Sequence, residues 1–115
     1  MTIKDVFEYT EEMFPSQYPT DVKLMWVNQL EKEISDFLEL FGEMETYPHT
    51  NTMDELLIEE PDLYALYIGA RTDFANAEYG RYNNKVAQFN AFMAEWQARY
   101  MRHNKPTGAV RYIKL

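Results

Sequence analysis

There is no cysteine in the chain, which excludes disulfides, thiolate zinc sites and a cysteine nucleophile, and is compatible with a reducing compartment. Histidine is nearly as scarce. Only His49 and His103 occur, and neither stands in a Glu-x-x-His or His-x-x-x-His spacing, so no bundle-type di-metal site is expected. The four glycines form neither a phosphate-cradling loop nor a Gly-x-Ser-x-Gly elbow. No stretch approaches the ~20 consecutive apolar residues of a membrane span. Met1-Thr2-Ile3-Lys4-Asp5 lacks the basic-then-apolar layout of a signal peptide. Carboxylates do pair, at Glu11-Glu12, Glu43/Glu45, Asp54-Glu55 and Glu59-Glu60, but on polar stretches that read as solvated surface. The expectation is a protein without catalysis, cofactor or metal.

What is present is a globular composition. Hydrophobic residues make up 46% and charged residues 26% of 115 residues, enough for one domain with a core. Nine tyrosines suit half-buried surfaces, where the ring packs and the hydroxyl stays wet. The net charge of −8 argues against a nucleic-acid-binding face, which needs a basic footprint. The charge is unevenly spread. Residues 1–60 hold 15 acids and 3 bases, a formal −12; residues 61–115 hold 4 acids and 8 bases, a formal +4. Such a chain either stacks head to tail with copies of itself or pairs its two halves internally.

Hydrophobic periodicity predicts an all-α domain with helices over 3–14, 21–41 and 62–103, the last two packed antiparallel. Thr2 with Asp5 makes a capping box for the first, and Pro15 ends it. Thr20 is expected to cap the second, with Asp21 at its positive end and Gly42 just past its C-terminus. Its wide apolar face is Val22, Trp26, Val27, Leu30, Ile34, Phe37, Leu38 and Phe41; Lys23, Glu31, Lys32, Glu33, Asp36 and Glu39 are assigned to the wet side. The connection 43–61 is long and polar, with 53–58 either a short helix or an extended piece, and loops of this length are often functional or mobile. Glu59-Glu60-Pro61-Asp62 then primes the third helix.

A helix over 62–103 is about 60 Å long, too long for so small a chain unless it is half of a hairpin, kinked near Gly80, or projecting to a partner. Trp26, Leu30, Ile34 and Phe37 are expected to face Phe74, Phe89, Met93 and Trp96. Mid-stripe stand Asp73, Glu78, Arg81, Tyr82, Asn83 and Asn84. Glu78 and Arg81, three apart, make either a surface ion pair or part of a subunit contact. Residues 104–115 are expected to form an extended tail after a 1–103 domain. Val110, Arg111 and Tyr112 are strand formers with no mate in a helical monomer, so the tail is either loose or pairs with another chain.

Several strings resemble a family of small tailed-phage and prophage head–tail connector, or adaptor, proteins. They are Lys23-x-x-Trp26-x-Asn28-x-Leu30, Leu63-Tyr64-x-x-Tyr67-x-x-Ala70-x-x-Asp73, Glu78-x-x-Arg81-Tyr82-Asn83-Asn84, Phe89-Asn90 and His103-x-x-Pro106. The connection 43–61 is more acidic than the family pattern. The resemblance implies an all-helical virion protein, cytoplasmic before assembly, that forms a ring of commonly twelve copies under the portal. Its partners would be the portal and neck or tail proteins, with DNA only as cargo and no membrane. An acidic channel lining would let DNA slide without sticking. The alternative is a small acidic binding module or regulator that engages a basic partner.

Overall fold

A computed structural model describes residues 1–43 and 48–115. Four helices follow one another: α1 (Ile3–Met13), α2 (Thr20–Glu39), α3 (Pro61–Ala75) and α4 (Tyr79–His103). Among the described residues the protein is all-helical apart from one isolated bridge, and no helix is long and apolar enough to cross a membrane.

The first helix starts as its sequence dictates. The Asp5 amide donates to Thr2 Oγ1 at 3.1 Å and the Thr2 amide to the Asp5 carboxylate at 3.0 Å, closing a capping box. Ile3, Val6 and Thr10 turn inward. The second helix begins differently from expectation. Thr20 is its first residue, the preceding Pro19 takes the cap position, and no side chain caps it. Its end is as the glycine suggests: Gly42 has φ +81°, its amide donates to Glu39 O, and the Glu43 amide donates to Leu38 O. That pair of bonds is a Schellman motif, which needs a left-handed residue where glycine stands.

The third expected helix is two helices. Asn76, Ala77 and Glu78 interrupt it, and Ala77 takes φ +57°. The Ala77 amide donates to Phe74 O at 3.1 Å and the Glu78 amide to Asp73 O at 2.8 Å. This is a second Schellman motif, built on alanine instead of glycine, and it folds α4 back on α3. The break therefore falls three residues before Gly80. Its cause is packing: the hairpin buries Tyr67 against Phe89, with ring centroids 5.7 Å apart, where a straight rod would leave both wet.

α3 is the central element and packs against α1, α2 and α4. Every residue from Leu63 to Ala70 is buried. A helix that is apolar all round belongs inside, and Tyr64, Ala65, Leu66 and Ile68 complete the faces that a single stripe leaves out. α2 reaches α4 through Phe37, 5.5 Å from Trp96 and 5.7 Å from Tyr100, while Phe41 meets Tyr100 at 4.9 Å. The residues expected to face one another are buried except Phe74, which is 55% exposed, and Phe37 with Trp96 is the ring pair seen between the two sets.

The connection packs along α1. The Ile3 amide donates to Asp54 O, the Lys4 amide to Thr52 O and the Leu56 amide to Met1 O, with Thr2 and Glu55 forming the bridge. Residues 53–58 are therefore neither a helix nor a full strand. Residues 44–47, including Glu45, lie outside the described residues.

Candidate interaction surface

The nine candidate residues fall into two groups. Asp73, Glu78, Arg81, Tyr82, Asn83 and Asn84 surround the α3–α4 turn. Asp73 faces inward and pairs with Lys85 across the hairpin. The Lys85 ammonium also lies 4.6 Å from the Phe14 ring centroid, and its stem crosses Gly69. A Cβ at Gly69 would stand 2.9 Å from both Cδ and Cε of Lys85, so glycine is what lets the lysine reach its carboxylate. Asp73 thus braces the turn and offers little surface. Asn76 braces it from the other side, its Oδ1 accepting from Gln17 Nε2 at 2.8 Å and from the Tyr18 hydroxyl at 2.9 Å.

Outside this brace stands an aromatic tip. Phe74 lies 5.8 Å from Tyr79 and 5.2 Å from Tyr82, edge-on or tilted. Phe74 and Tyr79 are each 55% exposed, and Tyr82 is half-buried behind them. Glu78 and Arg81 pair at 3.3 Å on the exposed side, an ion pair worth about 0–1 kcal/mol. Asn83 and Asn84 are exposed on the first turns of α4.

The second group docks beside Gln97, about 22 Å along α4 from Tyr82 at 1.5 Å rise per residue. Residues 104–115 are irregular, as an extended tail would be, but they dock on their own chain instead of hanging loose. The side chain of Gln97 supplies the missing mate: its Nε2 donates to Arg111 O at 3.3 Å and its Oε1 accepts from the Ile113 amide at 3.0 Å. Asn90 Oδ1 accepts the Leu115 amide at 2.9 Å, and the Thr107 amide and hydroxyl both donate to Leu40 O. Ile113 is buried, Val110 packs partly on the core, and Arg111 and Tyr112 are exposed. Between this tail and α2 is a hollow of about 530 Å³, floored by Phe37, Leu40 and Ile113.

A second, shallower hollow of about 490 Å³ lies on the outer side of α2 against Pro48. Leu24 and Met25 line it, with Asp21, Asn28, Gln29 and Lys32 around them. Met25 is 49% exposed.

One polar cluster was not anticipated. Glu31, assigned to the wet side of α2, is fully buried. Its Oε2 accepts from the Tyr64 hydroxyl at 2.6 Å and the Leu57 amide at 2.7 Å, and its Oε1 shares a hydrogen bond with His49 Nε2. The other ring nitrogen of His49 is 3.3 Å from Asp54 Oδ2. Asn28 holds the His49 backbone at both its amide and its carbonyl, at 2.7 and 2.9 Å. The signal was in the register: Glu31 sits four residues after Val27 and three before Ile34, inside the apolar face. A carboxylate, an imidazole and a phenol have the parts of an acid–base relay. Here the carboxylate oxygens are occupied by partners from the connection and α3. The cluster clamps the connection to the core. Burial, and then the adjacent Glu31 carboxylate, push the Tyr64 phenol well above its ordinary range. Among the described residues, no group of three His, Asp or Glu side chains is arranged to hold a metal ion.

Comparison with protein-family models, curated proteins and solved structures finds no match to this chain.

Proposed function

We propose that this chain is a structural head–tail connector of a tailed phage or prophage, joining the portal to the tail by self-association into a ring around the DNA channel. The observation that carries the reading is the position of the Arg81-Tyr82-Asn83-Asn84 string. The residues most specific to the resemblance sit at the exposed aromatic tip of the α3–α4 hairpin. A core-forming motif would be buried; an assembly motif needs to be reachable and rigid, and the Asp73–Lys85 and Asn76 braces hold this one in place. The exposed acids of α2, Asp21, Glu33, Asp36 and Glu39, are compatible with the reading, because an acidic channel lining lets DNA slide without sticking.

Deleting the coding sequence from the phage or prophage that carries it should leave DNA-filled heads that fail to join tails. Infectious particles at normal titre without this protein overturn the reading. Recovery of the chain in a one-to-one complex with a basic cellular protein, and not on virions, supports the binding-module alternative.

A further inference from the structure

The tail has one edge in use and one open. Gln97 takes the Arg111 carbonyl and the Ile113 amide, and Asn90 takes the Leu115 amide. All three groups belong to odd-numbered residues. In an extended chain the backbone groups of every second residue point to the same side, so the odd side faces α4 and the even side faces away from it. Val110, Tyr112 and Lys114 form no backbone hydrogen bond with any described residue. Their edge is an unpaired row of donors and acceptors. Beside the tail is the hollow of about 530 Å³, with α2 as its far wall. Phe37, Leu40 and Ile113 make its floor apolar. Its charged side chains are three cations, Lys32, Arg111 and Lys114, against two anions, Glu33 and Asp36, a formal +1. Lys32 pairs with Asp36 at 3.3 Å, and the Arg111 guanidinium is close enough to favour the Glu33 carboxylate. The surplus is at Lys114.

We infer that an extended segment of another protein, carrying apolar residues and one acidic residue, seats in this hollow as a strand on the open edge of residues 110–114. The hydrogen-bonding groups choose its conformation. A helix uses its amides internally and offers none to Tyr112 or Lys114. An extended chain presents an N–H and a C=O at every second residue, at the spacing of the tail's own, and its alternate side chains reach the apolar floor. Charge chooses its composition. An acidic residue across from Lys114 cancels the surplus. The tail of a second copy is excluded on the same ground, because it would bring a further Arg111 and Lys114 to a hollow that is already positive. The inference is independent of the connector reading, which rests on the hairpin tip.

Hydrogen exchange of the full chain, read by NMR, tests the edge and its occupant in turn. In the free protein the Ile113 and Leu115 amides should exchange about tenfold more slowly, relative to their intrinsic rates, than those of Tyr112 and Lys114. Equal rates overturn the alternation and the inference with it. The probe is a capped hexapeptide of alternating threonine and valine with one terminal glutamate, made with the glutamate at either end. One of the two should slow exchange at Tyr112 and Lys114 about tenfold, with shifts confined to the tail and to residues 32–40. Lysine in place of the glutamate should weaken binding, and Lys114→Glu should reverse that preference. Methylating alternate amide nitrogens of the peptide should abolish binding. So should Tyr112→Pro, which removes an outward N–H and leaves both Gln97 bonds in place; a protected Ile113 amide in that variant shows that the tail is still docked. Unchanged exchange at Tyr112 and Lys114 with both peptides, or equal binding by the methylated form, overturns the inference. So does protection of Tyr112 that rises with protein concentration in the absence of peptide, which would make a second copy the occupant.

Discussion

The phenol of Tyr64 donates to the Glu31 carboxylate across 2.6 Å, at a point where neither side chain touches water. The bond joins the first turn of α3 to the middle of α2, and His49 and the Leu57 amide complete it from the connection. Tyr64→Phe removes one donor and leaves a buried carboxylate short of a partner, a loss of about 1–3 kcal/mol. Glu31→Ala strands three groups at once and should cost about 3–5 kcal/mol. Urea unfolding followed by circular dichroism measures both. Equal losses below about 1 kcal/mol would mean that water reaches the cluster.

The same bond sets an alkaline limit. The folded state favours the neutral phenol of Tyr64, whose folded pKa lies well above the ordinary 10.0. Its contribution is fully present below pH 10 and is lost as pH rises beyond that, because the unfolded chain then releases the proton first. Stability should therefore fall with pH above 10, and less steeply in Tyr64→Phe. Tyr9 and Tyr67 are raised as well and should leave a residual slope. Melting temperatures across this range, with tyrosinate absorbance alongside, provide the readout; an unchanged slope in the variant contradicts the assignment.

Ala77→Gly should stabilise the protein by about 1 kcal/mol. Alanine bears the cost of the left-handed conformation that glycine adopts freely, and that cost exceeds the entropy glycine adds to the unfolded chain. A measured loss of stability would show that Ala77's methyl makes a contact worth more than its strain.

At Gly69 the opposite substitution should do harm. Gly69→Ala improves helix propensity by up to about 1 kcal/mol. It also displaces the Lys85 stem and so separates the Asp73–Lys85 pair, which is mostly buried. The net expectation is a loss of about 1–2 kcal/mol. In an Asp73→Asn, Lys85→Met background the same change should be neutral or stabilising, and a double-mutant comparison by thermal melts separates the two terms.

Removal of residues 107–115 should lower the melting temperature. It uncovers Phe37, takes Ile113 out of the core and leaves the buried Gln97 amide without its two backbone partners. Ile113→Ala alone should cost about 2–4 kcal/mol. A truncated protein with an unaltered melt would mean that the tail is not bound in solution.

Three features of the fold were readable in the residues: the capping box at Thr2, the Gly42 terminus and the amphipathic face of α2. Each depends on local chemistry or on a period within one helix. The hairpin break was not readable at its true place. An alanine gives no warning of a left-handed turn, and the reason for turning is the contact between Tyr67 and Phe89, 22 residues apart. The tail's mate was hidden for a related reason. A strand-like segment ordinarily pairs with backbone, but here the partners are the amide side chains of Gln97 and Asn90, which look like ordinary polar residues on α4. By spacing alone Phe74 belongs to the core stripe. The break one turn later sends it outward, and the candidate surface changes with it.

The burial of α3 from every side also bears on how the chain comes off the ribosome. α1 and α2 are complete by residue 39, yet the element against which both pack does not end until Ala75. During synthesis the acidic first half waits as amphipathic helices with nothing to cover their apolar faces. Its partner is the segment that arrives last but one. A nascent chain paused before residue 60 should therefore be protease-sensitive and bound by chaperones. One paused far enough beyond residue 103 for α4 to leave the exit tunnel should become resistant in a single step.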